Sequence, residues 1–124
     1  MRIYKTRAFS KWAVKEGLND NALYAAVEEM ERGLIDAELG GHVVKKRVAL
    51  AGRGKSGGAR TLIVYQVNNE AFFVYGFAKN ARANIKEEEL KGLKAYAAIL
   101  LGYSEKELNE AMKAAVLIKV ENDG

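Results

Sequence analysis

Cysteine and proline are both absent from this 124-residue chain, and histidine and tryptophan occur once each. Without cysteine there is no disulfide and no thiolate metal site. Without proline, glycine is left to punctuate the elements. A single histidine rules out a two-histidine acid–base mechanism, and His42, at the start of a strand-like run, reads as a surface residue. No carboxylate pair or metal-ligand cluster stands out either, so neither a metal nor another cofactor is expected. No apolar run approaches the roughly 20 residues of a membrane span. The start, MRIYKTRAFSKW, is amphipathic and lacks a signal-peptide core. A cytoplasmic location without a membrane partner is therefore the expectation. At 49% hydrophobic and 29% charged, the chain has the balance of one globular domain, taken as residues 1–124.

Acids are scarce in one region only. Residues 41–86 carry nine Lys and Arg and a single acid, Glu70, whereas the flanking thirds are slightly acidic. A basic middle on a near-neutral frame is an electrostatic footprint for a polyanion.

The periodicity predicts an α+β domain. Residues 2–6 suit a first strand. Phe9, Trp12 and Ala13 follow a helical spacing behind Thr6 as N-cap, and Gly17 closes that helix with Leu18 as its apolar partner. A second helix covers about 20–32 through Leu23, Ala26, Val27 and Met30, closed by Gly33. The two form a helical hairpin. Then the period changes. VVKKRVAL (43–50), TLIVYQVN (61–68) and AFFVYGFA (71–78) read as an antiparallel meander with a tight turn at 68–70 and a longer glycine-rich loop at 51–59. Residues 87–101 return to helix. Ser104 and Glu107 then make a capping box for a last helix to about Ala115, with Tyr103 and Leu108 as its staple. The β-prone tail Val116–Val120 adds an edge strand to its own sheet, to a second copy or to another chain, or else packs on the last helix. The predicted order is β-α-α-β-β-β-α-α-(β).

The loop ALAGRGKSGGAR (49–60) fits a loose spelling of a phosphate-binding P-loop. That motif needs a helix to open at its Gly-Lys-Ser so that the helix N-terminus meets the phosphates. Here Gly57-Gly58 follows, and then a strand. A nucleotide pocket is excluded on that ground, and the glycines read as hinge points of a long hairpin loop.

Alternation in 43–50 puts Val44, Lys46, Val48 and Leu50 on one face and Val43, Lys45, Arg47 and Ala49 on the other. The first face packs on helices, with Lys46 near a frayed start. Lys45 and Arg47 project together from the second. Strands lie about 5 Å apart, so Arg60 and Lys79 can join them within a nucleotide's reach. Register decides which face Arg60 takes, and register is not written in local sequence. Such a cluster can stabilise the charge on a phosphate under attack by a ribose 2′-OH. A lysine crowded by cations gives up its proton more readily, which makes Lys45 the candidate general base.

The segments KKRVAL, GGARTLIVYQV and FFVYGFAKNARANI, taken with the N-terminal β-α-α unit, resemble the RelE/HigB branch of type II toxin–antitoxin toxins, within the RelE/ParE superfamily. The resemblance covers nearly the whole chain. It implies a small antiparallel sheet with two helices on one side, a RelE-like fold. It further implies metal-independent endoribonuclease cleavage of mRNA on the ribosome, translation inhibition, and neutralisation by a cognate helix-turn-helix antitoxin encoded nearby. Residues matching Lys45, Arg47 and Arg60 bind the scissile phosphate in that family, and Lys79 falls where a further group assists. Lys46, Arg53, Lys55, Asn80 and Arg82 become RNA contacts. Two positions differ from the pattern: Asn80 stands where an Arg is common, and no Tyr lies between Lys79 and the next helix. Leaving-group protonation is therefore left to Arg60. A ParE-like toxin acting on gyrase and a non-catalytic RNA- or ribosome-binding regulator are the competing readings, and a homodimer is allowed.

Overall fold

The structure is a computed structural model that describes residues 1–50, 54–78 and 85–122, residues 54–57 by backbone alone. Ten elements follow in order: β1 (Arg2–Thr6), α1 (Arg7–Glu16), α2 (Asp20–Glu31), β2 (Ala37–Gly40), β3 (Val43–Leu50), β4 (Gly54–Gln66), β5 (Glu70–Ala78), α3 (Glu87–Leu101), α4 (Glu105–Lys113) and β6 (Leu117–Lys119). They build one six-stranded sheet in the order β2-β3-β4-β5-β1-β6. All neighbours are antiparallel except β1 and β5, which run parallel. The α+β class and the RelE-like arrangement are as expected.

The helix ends follow from their cap chemistry. Thr6 accepts from the Phe9 amide to start α1, and Gly17 ends it at φ 77 while Leu18 N–H reaches back to Ala13 O at 2.9 Å. Only a residue tolerant of left-handed backbone closes a helix this way, hence glycine. Gly33, at φ 85, closes α2 in the same manner. At α4 the box is complete. Ser104 accepts from the Glu107 amide at 3.1 Å, and Glu107 accepts from the Ser104 amide at 2.9 Å. The far end of α4 uses the same left-handed closure with an alanine. Ala115 stands at φ 58 while Val116 N–H reaches Ala111 O at 2.9 Å. A Cβ in that region costs roughly 1–2 kcal/mol. Ala115→Gly is expected to stabilise the protein by about 0.5–1 kcal/mol, net of glycine's larger unfolded-state entropy. A urea midpoint that stays put or falls would refute it.

Both faces of the sheet are covered: the helical hairpin α1–α2 lies on one side, as the resemblance implies, and the C-terminal helices α3 and α4 lie on the other. Phe9, Ala13, Leu23, Val27 and Met30 from α1 and α2 meet Val44, Val48, Ile63 and Phe73 on one face. Ala97, Leu100 and Leu108 from α3 and α4 meet Tyr4, Val43, Leu62, Val64 and Phe72 on the other. The tail resolves as a strand of its own sheet: β6 pairs with β1 through Thr6↔Leu117 and Tyr4↔Lys119. Leu117 is buried, which supplies the driving force.

Three expectations change. β2 is absent from the predicted order, because four residues of alternating exposure carry too little pattern. The glycine-rich stretch is not the long loop 51–59: β4 already begins at Gly54, paired with Leu50 after a register shift. Backbone hydrogen bonding to β3 outweighs the entropy of ordering glycine there. Third, β4 ends at Gln66, and the turn is 67–69, with Asn68 at φ 62.

Candidate nucleic-acid interface

β3 and β4 settle which face Arg60 takes. Arg47 pairs directly with Arg60 and Lys45 with Leu62, so Lys45, Arg47 and Arg60 share the sheet face that α3 and α4 cover in part. Directly opposed side chains have Cβ atoms about 4.5–5.5 Å apart, and diagonal ones about 7–8 Å. Two arginines face to face repel, and each meets this differently.

Arg60 is partly buried, and its Nη1 is buried without a hydrogen-bond partner among the described residues. A guanidinium is a fork of five donors that stays charged. Leaving one of its nitrogens dry and unpaired is unfavourable by about 1–3 kcal/mol. An oxyanion that offers two oxygens side by side, such as phosphate, fits that fork.

Arg47 is instead held at the sheet edge. β2 ends its pairing at Ala37↔Lys45, so among the described residues β3 beyond that point has no strand neighbour on that side. Asp36 takes the next ladder position with its side chain. Its carboxylate accepts from the Arg47 amide at 2.5 Å and from Arg47 Nε at 3.3 Å.

Lys46 requires a correction. It sits on the opposite face at 4% exposure, not at a frayed start. Its ammonium lies 2.8 Å from Glu29 Oε1 and donates to Leu34 O at 2.8 Å. β3 is closed at that end by β2, and α2 covers it, so the alternation drives the lysine inward and Glu29 compensates its charge. An RNA contact through Lys46 has no geometric support. Removing one partner of a buried pair leaves the other uncompensated. Glu29→Ala is expected to destabilise by about 2–3 kcal/mol, discounted for the 23% exposure of the Glu29 side chain. Lys46→Met, which keeps the stem and removes the charge, is expected to cost less than half of that. Equal losses in chemical denaturation would show that the ion pair does not set the effect.

Beside Arg60 lies an aromatic wall. Arg60 pairs with Phe77 and Leu62 with Tyr75. The two rings meet at 6.1 Å, tilted by 47°, and Tyr75 donates to Glu89 Oε2 at 3.2 Å. A bulge at Val74 turns both Val74 and Tyr75 to this face, since Leu62↔Tyr75 is followed by Ile63↔Phe73. Asp36, Tyr75, Phe77 and Glu89 carry no site signal in the sequence. Their placement follows from a bulge and a ladder that local pattern does not encode. Of the remaining expected residues, Arg53, Lys79, Asn80 and Arg82 lie outside the described residues, as does the side chain of Lys55. His42 is exposed at φ 66 in the β2–β3 turn. Among the described residues no group of His, Asp and Glu is arranged to hold a metal, and no helix is long and apolar enough to cross a membrane.

A sequence model of the family described as the RelE toxin of the RelE/RelB toxin–antitoxin system matches residues 1–120. No curated protein matches the chain at a significant level. The match spans the sheet, both helical layers and the Lys45–Arg47–Arg60 face alike, and the chain belongs to the RelE toxin family of toxin–antitoxin systems.

Proposed function

We propose that this toxin is an endoribonuclease that cuts mRNA on the ribosome, without a metal ion, and so stops translation. The observation that carries the reading is the buried, unpartnered Nη1 of Arg60 on a face shared with Lys45 and Arg47. A cationic fork kept in place without an anion suits a site that meets one in use. In this reading Lys45 takes the proton of the ribose 2′-OH as its oxygen attacks phosphorus. The P–O5′ bond then breaks to leave a 2′,3′-cyclic phosphate. Arg60 binds the non-bridging oxygens, whose charge grows in the transition state. A guanidinium keeps its protons, so the leaving oxygen takes its proton from solvent, and Arg60 steadies the charge instead of donating the proton. Lys79 adds a further cation at the scissile phosphate, and Arg53, Lys55, Asn80 and Arg82 are the RNA contacts. The partner is a cognate antitoxin, here a helix-turn-helix protein encoded nearby, and the protein works in the cytoplasm.

Expression in cells with mapping of message 5′ ends tests this. Cuts phased to codons and lost in Arg60→Ala support it. Intact messages with DNA damage would point to gyrase as the target. Ribosome binding without cleavage would leave a non-catalytic regulator.

A further inference from the structure

The ion pair between Asp36 and Arg47 lies at the rim of the basic face and has no part in the steps above. Asp36 immediately precedes β2, and its amide donates to Lys45 O at 3.0 Å, so its backbone is fixed to β3. From that anchor one carboxylate grips both the amide and the Nε of Arg47. Both side chains remain open to solvent, at 25% and 45% exposure, so the pair can be competed apart. Opposite Arg47 stands Arg60, whose Nη1 is unpartnered. A phosphate on Arg60 would therefore approach a cation that already holds an anion.

We infer that Asp36 is a built-in competitor for the RNA phosphate: it offsets the charge of Arg47 in the free toxin and weakens RNA binding at this face. The inference rests on the proposed reading of the face as an RNA site. Its physical basis is simple. A carboxylate within a few ångströms of a phosphate repels it, and a guanidinium already neutralised releases no counterion from RNA. Specificity follows from such a repulsive element, because only RNA held by further contacts displaces it. Glu38, an exposed acid two residues along on β2, provides the control, since Asp36 is the acid that holds Arg47.

The test is fluorescence anisotropy of the purified toxin with a labelled short single-stranded RNA over a range of salt. Asp36→Asn keeps an oxygen that can accept from the Arg47 amide and removes the charge. It is expected to bind about five-fold more tightly, the size of one close charge interaction in water. Its plot of log affinity against log salt steepens by about 0.7, one further phosphate neutralised. Glu38→Gln shows neither change, and the gain disappears in the double variant Asp36→Asn/Arg47→Ala. Unchanged or weaker binding by Asp36→Asn, or a gain that survives in the double variant, overturns the inference. A second measurement needs no change at Asp36: Arg47→Ala is expected to lower the salt slope less than Arg60→Ala does, and equal decreases overturn the inference as well. If the unsubstituted toxin shows no RNA binding that depends on Arg60, the RNA reading itself falls. If it does bind so and Asp36→Asn brings no gain, only the role of Asp36 falls.

Discussion

Replacing Arg60 with alanine is expected to yield a folded toxin that no longer arrests growth. The loss in single-turnover cleavage is about 10²- to 10³-fold, the range for deleting one donor aimed at developing charge. Stability moves the other way or not at all. Alanine removes a buried nitrogen without a partner and ends the direct opposition of Arg60 and Arg47 across the ladder. Both are unfavourable in the free protein. Activity and stability thus separate, which distinguishes a site residue from a structural one. Arg60→Lys sharpens the point. It keeps the charge and loses the planar fork, and an ammonium does not replace two-point recognition of phosphate. Its activity should fall between arginine and alanine. The measurement is cleavage rate beside thermal midpoint for all three proteins. A midpoint that collapses in Arg60→Ala along with activity would make Arg60 a structural residue.

How much of this was legible in the sequence depends on the range over which each feature is encoded. Helix ends are local. Gly17, Gly33 and the Ser104/Glu107 box each state their own geometry within five residues, and all three stand as read. Alternation along β3 is local too, and it sorted Lys45 and Arg47 from Val44 and Val48 correctly. Lys46 followed the same rule, but its meaning lay elsewhere: the acid that makes its burial tolerable, Glu29, is on α2. Pairing between strands is not local. Whether Arg60 faces Arg47 depends on a register fixed by the whole ladder, and Tyr75 joins that face only because Val74 is bulged. Asp36 is further still from any pattern, since its role exists only because β2 is too short to cover β3.

Gly76 shows the same dependence on distant packing, and its replacement should be among the most damaging in the fold. It sits on β5 opposite Thr61, on the face that receives α1. A Cβ built there would lie 2.2 Å from Cζ3 of Trp12 and 2.5 Å from both Cε3 and Cη2. No left-handed backbone is involved at this glycine, so the constraint is contact alone. An indole is rigid, and the three atoms belong to one ring edge, so small side-chain adjustment cannot open the space. Trp12 also rests on Phe9, with ring centroids 5.4 Å apart, which blocks retreat along the helix. Gly76→Ala must either lift α1 off the sheet or swing the indole into water. A tryptophan of this kind buries on the order of 150–250 Å², and it is only partly buried here. At about 25 cal/mol per Å², losing most of that contact gives roughly 2–4 kcal/mol. Trp12 is the only tryptophan in the chain, so its fluorescence reports the event directly. The expected result is a red-shifted native emission together with a lower denaturation midpoint. Trp12→Leu in the same background should recover part of the loss, because the shorter side chain leaves room for the methyl group. Native emission unchanged and stability within about 0.5 kcal/mol of the parent would mean that α1 yields at this point without strain.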